Sequence, residues 1–222
     1  MRVLFLTSLC PKTGNCTTAE RIRCHVEAAG HECILRNSAD FKEKSDVTAL
    51  LAREPGIDAA LAIHLYKGGR HLLDLHVPFG VVFGGTDVNE DVKDEKKRAV
   101  MERVLKRARF GVAFTQQMKA DAESLLMSES SKIRIQPQGI ETRAATDFSW
   151  REFLRCSGVE SEEVEGLCVF LLVCGLRRVK DPLYLLKAFS EWHASSPHVI
   201  FIIIGPKMDP VFSGEVEHRV QR

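Results

Sequence analysis

The chain has 222 residues, 45% of them hydrophobic, and its 31 Lys and Arg nearly balance its 30 Asp and Glu, which gives a formal charge of +1. This length exceeds the roughly 100–150 residues of a common single domain, so we expect one large domain or one domain with a further piece. A nearly neutral chain has no bulk attraction for nucleic acid or an anionic membrane, and neither is expected as a partner.

Two further features of the sequence bear on the cellular compartment. No apolar run approaches the ~20 residues that span a bilayer, so we expect a soluble protein without a transmembrane segment. Seven cysteines without any C-x-x-C pair are typical of reduced thiols, which predicts a cytoplasmic protein. The alternative is secretion, with "MRVLFLTSL" as a signal peptide. That apolar run is short and lacks a small-x-small cleavage site, which favours a buried first strand.

Residues 1–147 alternate apolar strands with helices. "RVLFLTS" is followed by the loop "LCPKTGNC" and by a helix that begins near Thr17, since Thr17 and Glu20 have capping-box spacing. Five more apolar runs follow, "ECILR", "DAALAIHL", "PFGVVFGG", "FGVAFT" and "KIRIQP", with helices between them, including a long one over 91–109. Strands this apolar on both faces belong in a parallel sheet covered by helices. The sequence therefore predicts a doubly wound, Rossmann-like α/β domain.

The composition then turns polar and acidic over residues 148–166, which we interpret as a linker. Residues 167–222 hold one more βαβ unit, "LCVFLLVCG", a helix beginning at "DPLY" and "HVIFIIIG", and then the start of another helix. Two strands and so few helices cannot cover both faces of a parallel sheet. We therefore expect an incomplete second Rossmann-like domain, with an open sheet edge available to a protein partner.

Ligands of doubly wound sheets bind outside the carboxyl ends of the strands, so the residues directly after each strand are the candidates for a site. These loops are rich in glycine, which by itself is explained by turn geometry. There is neither a G-x-G-x-x-G nor a P-loop motif after any predicted strand. The candidates are Gly14, Asn15, His64, Gly84, Asp87, Gln138, Gly139 and the segment 175–180.

Arg177 and Lys180 follow a strand and precede a predicted helix N-terminus. Cations at that end of a helix are unfavourable by about a few tenths of a kcal/mol unless an anion offsets them. The pattern therefore favours an anion site, and a diphosphate suits it. The alternative is a solvated run of charges at a helix start.

Several segments carry a family resemblance. "VCGLRRVKDPLYLLKAFSEW" followed by "VIFIIIGP" resembles the start of the donor domain of the group 1 (family 4) glycosyltransferases. "IRIQPQGIE" is similar to the segment that ends their acceptor domain, and "FGGTDV" to their loop after strand four. The resemblance implies the GT-B fold and transfer of a sugar, with retention, from a nucleotide-sugar donor to an unknown acceptor. It implies no metal or other cofactor.

The resemblance also implies roles for individual residues. His64 and Asp87 would face the sugar or the acceptor as the catalytic residues. Donor diphosphate binding would fall to the glycine loop after the first strand and to the cations after the first strand of the second domain. The residues of that group are Gly14, Asn15, Arg177, Lys180 and, as the less suited arginine, Arg178.

The sequence departs from the family pattern at two points. Gly84 stands where many relatives have histidine, so their imidazole near the transferred sugar is missing. The pair of glutamates that grips the donor lies beyond the end of this chain, since Glu215 and Glu217 come too early. We therefore expect the chain to be weakly active or inactive. A non-catalytic binding or regulatory short form, and an α/β domain unrelated to sugar transfer, are the alternatives.

Overall fold

A computed structural model of the chain describes residues 1–11, 13–126, 130–140, 142–159, 164 and 166–220. Two compact units make up the chain, Met1–Ile140 (unit 1) and Glu141–Arg222 (unit 2). Each unit has its own parallel sheet. This division falls before the boundary at residue 147 that the sequence suggested. Residues 160–163 and 165 of the predicted linker lie outside the described residues.

Unit 1 alternates strands and helices along the chain. Its strands are β1 (Arg2–Thr7), β2 (Glu32–Asn37), β3 (Ala59–Ile63), β4 (Phe79–Val82), β5 (Phe110–Ala113) and β6 (Ile133–Ile135). Its helices are α1 (Gly14–Ala28), α2 (Lys44–Arg53), α3 (Gly85–Asn89), α4 (Glu95–Arg107) and α5 (Gln116–Leu126). Short 3₁₀ turns lie at Ser38–Asp40, Gly69–Leu72, Asp91–Lys93 and Ser130–Lys132.

The six strands of unit 1 form one parallel sheet in the order β2-β1-β3-β4-β5-β6. This confirms the predicted α/β class and the predicted six-stranded sheet. The chain moves from β1 to β2 on one side and then returns past β1 to β3, so the strand order reverses between β1 and β3. Ligands of doubly wound sheets bind at such a switch point.

The central strand β1 explains why the sheet is buried on both faces. Leu4, Phe5 and Leu6 are all completely buried. Leu4 and Leu6 belong to the larger core cluster, whereas Phe5 packs in a separate cluster with Ala19 and Ile63. Successive side chains of a strand point to opposite faces, so two apolar layers enclose this strand. Its continuous apolar sequence is the signature of that double burial.

Helix α1 begins earlier than predicted. Its N-cap is Thr13, whose backbone is extended and whose side-chain Oγ1 accepts the backbone N–H of Cys16 at 3.4 Å. The capping-box spacing at Thr17 was therefore the wrong signal, because Thr17 already lies in the helix. Gly14 and Asn15, expected in a loop, occupy the first turn of α1 instead.

The long helix predicted over 91–109 is divided in two. A 3₁₀ turn covers Asp91–Lys93, and α4 begins only after Asp94. The Asp94 side chain accepts the backbone N–H groups of Lys96 at 2.9 Å and Lys97 at 3.1 Å, which makes it the N-cap of α4. This cap explains the break in the helix. In the sequence, Asp94 did not stand out as a cap because several acidic residues lie at the start of the segment.

Unit 2 is smaller and more open. Its elements are α6 (Trp150–Cys156), β7 (Cys168–Val173), a 3₁₀ turn (Arg178–Lys180), α7 (Leu186–Ser195), β8 (Val199–Ile204) and α8 (Pro210–Val220). Helix α6 lies within the stretch that the sequence suggested as a linker, and its Leu154 is buried. Strands β7 and β8 pair in parallel as a two-stranded sheet.

One face of the β7–β8 pair is covered by aromatic rings from α7. Phe189 stacks on Phe201 with ring centroids 4.4 Å apart and contacts Phe170 at 4.9 Å. The alternate residues of β7 remain in solvent, since Leu171 is 46% and Val173 73% exposed. The sheet is incompletely covered, as its sequence predicts.

Candidate functional site

Three of the predicted site residues meet at the carboxyl edge of the unit 1 sheet. The Asn15 amide nitrogen Nδ2 lies 3.0 Å from His64 Nε2, and His64 Nδ1 lies 3.4 Å from Asp87 Oδ2. Asn15 belongs to the first turn of α1 after β1, His64 follows β3 directly, and Asp87 lies in α3 after β4. The contact between Asn15 and His64 therefore joins the start of α1 to the loop after β3, at the switch point between β1 and β3.

Asp87 is the buried end of this group and is completely inaccessible to solvent. Its Oδ2 accepts the backbone N–H of Gly84 at 2.9 Å, and its Oδ1 accepts that of Leu65 at 3.1 Å. Both oxygens therefore serve as acceptors for backbone groups at the ends of neighbouring strands. This carboxylate fixes the loops after β3 and β4 relative to each other.

His64 has an unusual backbone for a residue with a side chain. Its φ of 67° lies in the left-handed region, which costs a non-glycine residue about 1 kcal/mol or more. Surrounding hydrogen bonds hold it there: its N–H donates to Val82 O at 2.9 Å, and its carbonyl accepts from Gly69 N at 2.9 Å. Residues held in such conformations concentrate at functional sites. The side chain is only 2% exposed.

Gly84 makes room for the His64 ring. A Cβ atom at position 84 would lie 1.9 Å from His64 Cε1 and 2.4 Å from Nδ1. Any side chain there would displace the imidazole. The sequence indicated only that Gly84 lacks the histidine of many relatives, whereas the structure places the imidazole of His64 directly against this glycine.

The structure also places two other predicted residues, Gly14 and Gln138. Gly14 is exposed, and nothing lies within 4 Å of a Cβ built on it, so the backbone at the start of α1 is open to solvent. Gln138, after β6, donates through Nε2 to Thr18 Oγ1 of α1 at 3.1 Å. The role of Thr18 was not foreseen, because a threonine inside a helix carries no sequence signal of its own. Glu141, also in the segment with the family resemblance, lies outside the described residues.

Of the three cations of unit 2 that were predicted to bind phosphate, one forms contacts with other side chains. Arg178 donates through Nη2 to Glu215 Oε2 at 2.8 Å, and its guanidinium lies 4.9 Å from the centre of the Phe212 ring. Arg177 is half-buried and Lys180 is exposed. Within the described part of the chain, the side chains of both form neither an ion pair nor a hydrogen bond. The preference for Arg177 over Arg178 as a phosphate ligand stays a prediction; Arg178 is the one of the two that already pairs with a carboxylate.

The predicted helix N-terminus beside these cations is wrong. Helix α7 begins at Leu186, and a 3₁₀ turn occupies Arg178–Lys180. Asp181 ends this turn in the left-handed region with φ 40°. An aspartate tolerates this conformation, which keeps the chain from entering the helix at "DPLY". Arg177 and Lys180 are therefore presented by a strand end and a tight turn rather than by a helix dipole.

A cavity of about 400 Å³ lies at the opposite, amino-terminal edge of the unit 1 sheet. Its cations come from separate elements, which is why the sequence did not indicate it. Arg107 is already bound to the carbonyl oxygens of Leu73 and Leu75, and Lys132 donates to that of Lys106. The cavity is thus remote from the carboxyl-edge residues. It is lined by residues 76–79, 106–109 and Lys132.

The structure also bears on two predictions from the sequence, reduced cysteines and the absence of a transmembrane segment. All seven cysteines are unpaired, and burial raises the pKa of the Cys33 thiol to about 11, so this thiol stays protonated at neutral pH. Across the described ranges, no helix combines the length and apolar character needed to cross a bilayer.

Comparison with curated proteins gives a relative that spans the whole chain. The chain is 48% identical over 221 residues to a Xenopus tropicalis protein, "Glycosyltransferase 1 domain-containing protein 1"; the match covers 100% of this chain and 63% of that protein. The chain thus spans less than two thirds of the relative's length. No protein-family model matches the chain. The similarity confirms the resemblance indicated by the sequence motifs.

Solved structures with little sequence identity share the fold. Anabaena Alr3699/HepE in complex with UDP and glucose matches 100% of this chain and 66% of its own, with a TM-score of 0.69 and 13% identity. The S. aureus MnaA–UDP co-structure matches 99% of this chain and 66% of its own, with a TM-score of 0.62 and 12% identity. These matches confirm the predicted fold class, a GT-B type α/β architecture with Rossmann-like units.

Proposed function

We propose that this chain, similar over its whole length to a glycosyltransferase 1 domain-containing protein, serves in the transfer of a sugar from a nucleotide-sugar donor to an acceptor. The observation that carries the proposal is the meeting of Asn15, His64 and Asp87 at the switch point of the unit 1 sheet. A polar cluster at this position, in a fold shared with UDP-bound proteins, supports a nucleotide-sugar site. Retention and independence of a metal or other cofactor belong to the same proposal.

The proposed division of labour follows the two units. Unit 1 supplies the acceptor side, with His64 and Asp87 beside the sugar or acceptor. Unit 2 supplies Arg177 and Lys180 for the donor diphosphate. Charge grows on the diphosphate oxygens as they leave the anomeric carbon, and preorganised cations stabilise that charge. Arg178 is less suited because its guanidinium already pairs with Glu215.

A second candidate function is favoured by the exposed strand β7. Leu171 and Val173 leave apolar surface in solvent. Among the described residues no further strand pairs with β7 or β8, and apolar surface on such a sheet suits contact with another protein. A non-catalytic binding or regulatory role would use this surface and need no donor site. The two candidates differ in whether the chain binds or cleaves a nucleotide sugar.

The test of the donor site is a panel of nucleotide sugars offered to the 222-residue chain. Nucleoside diphosphate release and thermal shift are measured for wild type and for the double variant Arg177→Ala, Lys180→Ala. Each charge-assisted hydrogen bond contributes about 1.5–3 kcal/mol, so the double variant, which removes two, is expected to lose affinity by at least about a hundredfold. Its thermal stability in the absence of ligand is expected to match wild type, because neither side chain is in the core.

The matched control is Lys187→Ala, since the Lys187 side chain is 89% exposed in α7 and pairs only loosely with Glu191 at 3.8 Å. It is expected to bind like wild type. Wild-type affinity in the double variant would contradict the diphosphate assignment. No release and no thermal shift with any nucleotide sugar in the wild type would favour the binding role over transfer.

A further inference from the structure

The three residues at the carboxyl edge differ sharply in their access to solvent. His64 is 2% exposed and Asp87 is 0% exposed, whereas Asn15 is half-buried at the start of α1. A ligand arriving at this edge therefore meets Asn15 before it can reach the other two. The order from surface to interior is Asn15, His64, Asp87, joined through the two ring nitrogens of His64.

The partners of the His64 ring determine where its proton lies. Nδ1 faces Asp87 Oδ2 at 3.4 Å, too poorly aligned for a hydrogen bond but close enough for electrostatic attraction. Both carboxylate oxygens of Asp87 accept backbone N–H groups. A lone pair on Nδ1 would be repelled there, whereas an N–H is attracted. A neutral imidazole with its proton on Nδ1 leaves Nε2 as an acceptor.

Asn15 fits the acceptor that this tautomer presents. Its Nδ2 lies 3.0 Å from Nε2 and donates one N–H to it. The amide is thereby held in one orientation, with Nδ2 toward the ring. Within the described residues, Asn15 Oδ1 has no hydrogen-bond partner and remains free to accept. The amide oxygen accepts from a hydroxyl group but is repelled by phosphate oxygens, which are acceptors as well, whereas the second N–H of Nδ2 remains a donor.

We propose that Asp87 and His64 are positioning residues, and that the group they position is the Asn15 amide, which accepts a hydrogen bond from a hydroxyl of the bound donor sugar. This assigns the Asn15 amide oxygen to a hydroxyl-bearing ligand group, which a diphosphate does not offer, and it makes the His64 contact with ligand indirect. The choice of ligand rests on the proposed function, whereas the proton position is a property of the free protein.

The first experiment measures the protonation of the His64 ring nitrogens by ¹⁵N NMR of the histidine-labelled chain near neutral pH, with His64→Gln used to assign the signals. The wild type is expected to show a neutral ring with its proton on Nδ1. Asn15→Asp places acceptor oxygens at both ring nitrogens, an arrangement that only the doubly protonated ring satisfies, so this variant is expected to show an imidazolium. Asn89→Asp is the control, because Asn89 is exposed and its amide bonds Gly85 O and no other group of the described residues.

A wild-type ring with its proton on Nε2 would overturn the positioning role without any need for a variant. An unchanged ring in Asn15→Asp would do the same. These readings require no ligand and no activity, so they decide the positioning role whether or not the chain proves to be a transferase.

The second experiment compares the affinity of UDP with that of UDP-glucose for the wild type and for Asn15→Ala. Loss of one neutral hydrogen bond is expected to weaken UDP-glucose by about threefold to tenfold and to leave UDP unchanged. An equal loss of affinity for both ligands would instead assign Asn15 to diphosphate binding. Absence of binding of either ligand to the wild type would overturn the hydroxyl assignment together with the proposed function.

Discussion

Strands β1 and β7 have nearly interchangeable sequences, "RVLFLT" and "CVFLLV", yet their surroundings differ. In β1, Leu4, Phe5 and Leu6 are completely buried between two apolar layers and between two neighbouring strands. In β7, Leu171 is 46% exposed, and β8 is the one strand paired with it in the described residues. The comparison shows that an apolar strand stabilises a unit only to the extent that other elements cover it.

The same contrast holds for the polar residues of the two units. Asn15, His64 and Asp87 are linked to each other and to backbone groups inside unit 1. Arg177 and Lys180 of unit 2 have no such support among the described residues. Unit 1 therefore carries a preformed arrangement, whereas the two cations would acquire their geometry from an anionic ligand.

The largest difference is expected from truncating one leucine in each strand. Leu6→Ala removes a fully buried side chain and should lower the free energy of unfolding of unit 1 by about 2–5 kcal/mol. Leu171→Ala removes a half-exposed one and should cost unit 2 less than about 1 kcal/mol. Both tryptophans, Trp150 and Trp192, lie in unit 2, so fluorescence follows that unit while circular dichroism follows both. Equal losses would contradict the contrast between the strands.

A smaller effect is expected at the Gly84 contact. Gly84→Ala places a methyl carbon 1.9 Å from His64 Cε1, and the displaced ring should cost about 1–3 kcal/mol. Gly85→Ala is the matched control, because its nearest neighbour would be Asn89 Nδ2 at 3.7 Å.

The double variant His64→Ala, Gly84→Ala isolates the contact between these two positions. Once His64 is truncated, the added methyl group has no ring to displace, so the two changes should be non-additive by at least about 0.5 kcal/mol. Thermal or denaturant unfolding of all four proteins provides the measurement. Additive losses would show that the imidazole does not occupy the space beside Gly84.

The smallest effect concerns His71, a buried histidine of unit 1. Burial, and then the charge of Arg70, lowers its pKa to about 4, against about 6.5 in an unfolded chain. Between these values the unfolded chain binds more protons, so the His71 contribution to stability falls as pH drops from about 6.5 to about 4. In His71→Leu, the fall in Tm over that pH range should be smaller than in the wild type by roughly a few degrees. The exposed His76→Gln should show the wild-type fall. An unchanged profile in His71→Leu would exclude His71 as the source.

The sheet was predictable because burial on both faces leaves a continuous apolar run, which is visible in β1 without any structure. Helix starts were less predictable. Thr13 and Thr17 both offer a hydroxyl near the start of α1, and only the backbone around Thr13 decides between them. At "DPLY" the sequence shows a helix start, whereas the left-handed conformation of Asp181 postpones it. Such choices depend on dihedral angles that local sequence does not determine.

The site was predictable in its position and not in its contacts. Parallel strands bring the residues after β1, β3 and β4 to one edge, which was enough to select Asn15, His64 and Asp87. Their order of burial and the pairing of the two His64 nitrogens depend on strand order and on the left-handed backbone of His64. Gly84 is the clearest case, since its meaning lies in a ring that is twenty residues away along the chain.

Asp87 bears on how often the loops after β3 and β4 open to solvent. Its oxygens bind the amide hydrogens of Leu65 and Gly84, which follow β3 and β4 and are not part of the strand ladders. Amides held by a fully buried carboxylate are expected to exchange with solvent only when that carboxylate is exposed. We therefore expect the loops that carry the candidate site to open more slowly than ordinary surface loops, which fluctuate independently of the core.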